Sequence, residues 1–93
     1  MAARENKVER YLDQRVKELG GLTRKWVSPG RDGVPDRIIL LEGVVWFVEV
    51  KTTDGTLSGA QSREHCRLKE SGAKIRTVYG EADVDSFIEE LIE

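Results

Sequence analysis

The chain has 93 residues, 34% of them charged and 39% hydrophobic, and a formal net charge of −2. That length makes a single domain spanning 1–93, and no run of about 18 apolar residues is available to cross a membrane. The start, MAARENKVER, lacks the apolar core of a secretory signal, and the lone Cys66 has no partner for an internal disulfide, which suits a reducing cytoplasm. The acidic balance argues against a simple phosphate-binding surface, but it is uneven. Residues 81–93 hold six acids and no base, so residues 1–80 carry 15 bases against 11 acids. An acidic tail helix turned away from a moderately basic body is compatible with nucleic acid.

Residues 4–19 are predicted helical, because Val8, Tyr11, Leu12, Val16 and Leu19 recur at the spacing of one face, and Gly20-Gly21 stops the helix. Two acids lie in its first half. Glu5 sits about 45° and Glu9 about 85° from the centre of the apolar stripe. Either acid could simply complement the helix N-terminal dipole. Strands are predicted at 22–28, 37–41 and 44–51, the last two joined as a hairpin by Glu42-Gly43. The loop Ser-Pro-Gly-Arg-Asp-Gly (28–33) separates the first two strands.

Along 44–51 side chains alternate, with Val44, Trp46, Val48 and Val50 on one face and Val45, Phe47, Glu49 and Lys51 on the other. Both faces carry apolar residues, so this strand is expected at the centre of the sheet, covered on both sides. A second helix, 58–71, opens on Ser58-x-x-Gln61, the pattern of a capping box. A fourth strand at 73–79 and a last helix capped by Asp83, with Val84, Phe87, Ile88 and Leu91 inward, complete the order α-β-β-β-α-β-α.

Residues 33–51, GVPDRIILLEGVVWFVEVK, set Asp36, Glu49 and Lys51 among residues that otherwise belong in a core. Such charges are costly to bury unless paired or bound to metal. Mg²⁺ takes one or two carboxylates together with waters and phosphate oxygens, so Asp36 and Glu49 could hold it, with the backbone carbonyl of Val50 as a third oxygen. Lys51, about 6.6 Å from Glu49 along the same face, could orient a water or stabilise charge on a phosphate. A salt-bridged cluster at a sheet edge is the other reading of the same spacing.

These pieces resemble a family. The pattern Pro35-Asp36, then Glu49-Val50-Lys51, resembles the PD-(D/E)xK nuclease signature. The leading REN-x-V-E, the paired glycines, KWVSPGRDGVPDRIIL, FVEVK and LS-x-x-Q together resemble the VRR-NUC family, especially its short stand-alone virus-type members. The resemblance covers about residues 4–88. It implies a restriction-endonuclease-like α-β-β-β-α-β core with a C-terminal helix and a mixed central sheet.

It also implies cleavage of DNA with Mg²⁺ or Mn²⁺. The metal-binding acids fall on Asp36 and Glu49 with the Val50 carbonyl, the catalytic lysine on Lys51, the first-helix acid on Glu5, with Glu9 the alternative, and the family glutamine on Gln61. One side chain is not expected to serve both cap and site fully. Lys25, Ser28, Arg31 and Gly33 fall in the loop pattern as candidate DNA-backbone contacts, and Pro35 fixes the approach to Asp36.

Outside that pattern, His65 shares the face of Gln61 and could stand near the site, with a packed, hydrogen-bonded role favoured over a catalytic one. Cys66 lacks company for zinc. Trp26 and Trp46 could stack on bases, but their strand positions favour a core or interface. Arg63, Arg67 and Lys69 could follow phosphates or face solvent. The expected activity is that of a structure-selective DNA endonuclease, acting as a homodimer on four-way (Holliday) junctions. The rivals are a nuclease for flap, nicked or duplex DNA, and a non-catalytic DNA-binding module of the same fold.

Overall fold

The computed structural model describes residues 2–92, with side chains from Arg4; Met1 and Glu93, the last of the tail acids, lie outside the described residues. The elements are α1 (Ala2–Glu18), β1 (Leu22–Lys25), β2 (Arg37–Leu41), β3 (Val44–Lys51), α2 (Gly59–Glu70), β4 (Ile75–Tyr79) and α3 (Gly80–Leu91). The four strands form one sheet in the order β1-β2-β3-β4. The first three are mutually antiparallel and β4 runs parallel to β3, so the sheet is mixed, as anticipated. Among the described residues no helix is long and apolar enough to cross a membrane.

The hairpin between β2 and β3 has the predicted bounds. Glu42 (φ 52°) and Gly43 (φ 80°) both take the left-handed conformation, the geometry whose twist suits a two-residue hairpin. Pairing Ile39 with Trp46 and Arg37 with Val48 puts the even-numbered residues of β3 on the face that α1 and α3 cover. Val8, Leu12 and Val16 of α1, Val84, Phe87 and Ile88 of α3, and Ile39, Val48, Val50 and Val78 of the sheet make one buried cluster. Trp46 meets Phe87 edge-on at 5.3 Å between centroids. Trp26 lies 4.9 Å from Phe47 on the opposite face.

Three expectations change. The first strand ends at Lys25 rather than Ser28. The Trp26 N–H still reaches the Asp36 carbonyl at 3.0 Å, but Pro29 and the left-handed Gly30 (φ 80°) turn the chain out of the sheet. The last helix begins at Gly80, because the Asp83 carboxylate accepts the Tyr79 N–H at 2.9 Å from inside the first turn. Finally, β3 is covered on both faces only near its end. Leu22, Leu40 and Val45 form a cross-strand row on the second face and remain exposed.

The acidic tail is not turned away from the bases either. Asp83 and Glu90 hold Arg76, Glu81 approaches Lys7, and Asp85 takes both Arg15 and the Tyr11 hydroxyl, tying α3 to α1. A second polar tie joins α1 to the sheet. Arg37, 14% exposed, lies 3.1 Å from Glu9 and 3.0 Å from Asp13. Removing one partner of such a buried group strands the other charges. Arg37→Met is expected to cost about 3 kcal/mol in urea denaturation at pH 7, with most of it recovered when Glu9→Gln and Asp13→Asn are added.

Candidate active site

The site forms where β2 begins and β3 ends. Asp36 immediately precedes β2, and its Oδ2 accepts the Val50 backbone N–H at 2.8 Å. That bond continues the β2–β3 pairing past Arg37, with a side chain in place of a backbone carbonyl. A strand residue sends its N–H and C=O to the same side, so the Val50 carbonyl also leaves toward Asp36, where β2 offers it no ladder partner.

Glu49 and Lys51 project from the second face of β3, the face on which α2 lies. Glu49 is 2% exposed, and its Oε2 is 3.6 Å from the Lys51 Nζ and accepts from Gln61 Nε2 at 2.9 Å. The same Gln61 closes the helix cap. Its Oε1 accepts the Ser58 N–H at 2.9 Å while its own N–H donates to the Ser58 hydroxyl at 3.1 Å. The expectation that cap and site compete is therefore corrected. The amide's acceptor end serves the helix and its donor end serves the carboxylate, so the two tasks use different atoms.

The loop carrying Asp36 is held against α2 at Gly33, whose φ is +91° and whose α-hydrogens face the Ala60 carbonyl. Burial, with the Asp36 charge beside it, pushes the Glu49 carboxyl up from an ordinary 4.5 to about 8, against the opposing pull of Lys51. Burial also holds His65 below its ordinary value. The Glu49 Oε1 has no hydrogen-bond partner.

Two close carboxylates, one buried with an orphaned oxygen and short of positive charge, fit a divalent cation bound by oxygen ligands. Among the described residues no group of three or more His, Cys, Asp or Glu side chains converges on one position. The side chains that could hold such an ion are thus the pair Asp36 and Glu49, supplemented by backbone oxygen.

The remaining candidates are distributed around this pair. Glu5 is half-buried on α1, and no hydrogen bond or ion pair described joins it to Asp36, Glu49 or Lys51. Glu9 is committed to Arg37 and to Lys25, whose Nζ is 3.6 Å away. Ser28 and Arg31 close a turn, the Arg31 N–H donating to the Ser28 carbonyl at 3.2 Å. Arg63 and Lys69 are exposed, and Arg67 pairs with Glu64. Cys66 is exposed and free. His65 is buried as expected, but neither ring nitrogen has a hydrogen-bond partner.

One feature had no signal in the sequence. An open cleft of about 350 Å³ beside the end of β3 is lined by Arg4, Lys7, Thr52, Thr53 and Gly80 among others. It depends on α1 meeting the start of α3, a contact that spacing along one element does not reveal.

A mixed four-stranded sheet carrying Pro-Asp, Glu-x-Lys and a helix glutamine around one buried carboxylate defines a nuclease-class α/β domain of the PD-(D/E)xK type. No protein-family model matches the chain. It is 42% identical over 73 residues to "Putative nuclease p44" of Acyrthosiphon pisum secondary endosymbiont phage 1, an alignment covering 77% of this chain and 78% of that one. It also superimposes on a solved structure described as a VRR_NUC domain with a TM-score of 0.85 and 38% identity, covering 92% of this chain and 95% of the other. The chain belongs to the VRR-NUC family of nucleases.

The state of Glu49 gives a measurable sign. Its folded value of about 8 lies above the ordinary 4.5. The protonated form therefore stabilises the fold fully below pH 4.5, and that contribution is lost as pH rises through 8. In chelator, wild type should lose thermal stability relative to Glu49→Gln between pH 5 and 8.5. The variant should melt roughly 5 °C or more higher at the upper end. Excess Mg²⁺ should raise the wild-type melting temperature and leave the variant's unchanged.

Proposed function

We propose that this protein is a Mg²⁺- or Mn²⁺-dependent, structure-selective DNA endonuclease that works in the cytoplasm as a homodimer on four-way junctions. The observation that carries the metal reading is the buried Glu49 carboxylate beside Asp36 with one oxygen left without a partner. Asp36, Glu49 and the Val50 carbonyl would hold the ion, which supplies Lewis acidity toward the phosphate and makes hydroxide available near neutral pH.

The chain's own groups do the rest. Gln61 fixes the Glu49 carboxylate from α2. The Lys51 ammonium, 12% exposed and on the same face, either orients the attacking water or stabilises charge on the phosphate, and its positive charge serves both tasks. Glu5 is the first-helix acid of the proposal, since Glu9 is occupied by Arg37 and Lys25. Lys25 at the end of β1, and Ser28, Arg31 and the backbone at Gly33 on the loop that leads to Asp36, follow the DNA backbone.

Family membership supports DNA as the substrate, and the absence of a sequence-reading module in this domain favours recognition of shape and phosphate over bases. Resolving a junction takes two symmetric cuts, hence two sites related by a two-fold axis. The uncovered row Leu22, Leu40 and Val45 supports a second copy of this chain as its partner. It lies on the face of the sheet that carries Glu49 and Lys51.

Cleavage of a four-way junction, a flap and a linear duplex, each with Mg²⁺, Mn²⁺ or EDTA, tests the activity. Junction cutting should require metal, and Lys51→Ala should slow it about 100-fold or more while Mn²⁺ still binds by calorimetry. Cutting of flap or duplex alone would remove the junction assignment, and no cutting of any substrate would remove the enzyme. For the dimer, sedimentation should show two copies for wild type and one for Leu40→Lys/Val45→Lys; a monomeric wild type refutes the homodimer.

A further inference from the structure

His65 is one helical turn after Gln61 on α2, so the two side chains lie on the same face of the helix. That face meets Glu49. Gln61 donates to one carboxylate oxygen at 2.9 Å, and His65 Nε2 stands 3.6 Å from the other, with the imidazole 8% exposed and the carboxylate 2%. Both imidazole nitrogens and the Glu49 Oε1 that Nε2 faces lack hydrogen-bond partners. Buried polar groups in this state are rare. Here a donor and an acceptor lie beyond bonding range by a few tenths of an ångström, a gap that a small side-chain rotation closes.

From this geometry we infer that His65 is a positioning residue for Glu49: its Nε2–H donates to Oε1, and with Gln61 on Oε2 it fixes the plane of the carboxylate that the metal site uses. A neutral imidazole carries one N–H, and the Gly33 backbone also stands against the ring; with the proton on Nε2 it serves Glu49, and Nδ1 is left as an acceptor. An ionised carboxylate has about four lone-pair sites, so one donor on each oxygen leaves the remaining lone pairs for a cation. Neither Gln61 nor His65 alone can prevent the carboxylate from rotating about its terminal bond; donors on both oxygens do. The inference rests on the metal-site reading of Asp36 and Glu49, and its test separates the two.

Mn²⁺ binding is measured by titration calorimetry at pH 7.5 on wild type, Glu49→Gln, His65→Leu and His65→Gln, with thermal melts in chelator as the control for folding. Wild type should bind, Glu49→Gln should not, and His65→Leu should bind about tenfold or more weakly, the usual loss when a ligand's orienting partner is removed. His65→Gln, whose amide N–H can stand in for Nε2–H, should recover affinity to within about threefold of wild type. If the leucine variant does not fold, His65→Asn replaces it, since its shorter amide cannot reach Glu49.

Equal affinity in wild type and His65→Leu overturns the positioning role and leaves the metal site standing. A glutamine variant as weak as leucine also overturns it, in favour of the imidazole as a direct ligand. A wild type that does not bind Mn²⁺ overturns the metal site, and His65's role with it.

Discussion

The Glu49 carboxylate, sealed between β3 and α2, is the constraint around which the rest of the molecule is arranged. An ionised carboxylate in that position is unfavourable unless something compensates it. The surroundings supply partial compensation from two directions, the Gln61 amide from the helix and the Lys51 ammonium from the same strand, while the His65 imidazole stands 3.6 Å from the other oxygen without bonding to it. Asp36 works the other way, adding negative charge at close range. The site is therefore built with a deficit of positive charge. Unlike the Arg37 tie, where Lys25 joins Arg37 at Glu9, this cluster sets one positive charge, Lys51, against two acids, and the buried Glu49 Oε1 is left without a hydrogen-bond partner.

The scaffold keeps that deficit in place by binding α2 to the sheet through few but specific contacts. On the other face, α1 and α3 form an apolar layer with Val48, Val50 and Val78, reinforced by the Arg37 and Asp85 ties. That layer supplies most of the fold's apolar burial and leaves α2 comparatively free of structural duty. The helix is fixed at its start, where Ser58 and Gln61 close the cap, and the residue that completes the cap is the one that grips Glu49. Order in the first turn of α2 and order in the carboxylate are consequently a single property.

Much of this was legible in the residues. The β2–β3 hairpin was read with correct bounds because Glu42-Gly43 interrupts two apolar runs, and alternation along β3 placed Glu49 and Lys51 on one face. The capping pattern at Ser58-x-x-Gln61 announced the start of α2. What escaped depends on contacts between elements far apart in sequence. The exposure of Leu40 and Val45 follows from how little of the second face α2 covers, and no periodicity within β2 or β3 carries that information. The two-ended use of Gln61 and the unpartnered state of His65 likewise require knowing where α2 lies on β3. The early end of β1 shows a local breaker, Pro29-Gly30, acting further upstream than its position suggests.

Gly30 and Gly33 share the left-handed backbone and stand three residues apart in one loop, yet their freedom to vary differs. A Cβ at Gly30 would meet nothing within 4 Å, whereas a Cβ at Gly33 would stand 2.4 Å from the Ala60 carbonyl oxygen. Asparagine, the side chain that best tolerates that backbone, meets only backbone strain at 30, whereas at 33 it also collides with α2. Among related chains the same loop should thus drift at one glycine and stay fixed at the other, and the fixed one marks the point where the loop bearing Asp36 meets the helix bearing Gln61.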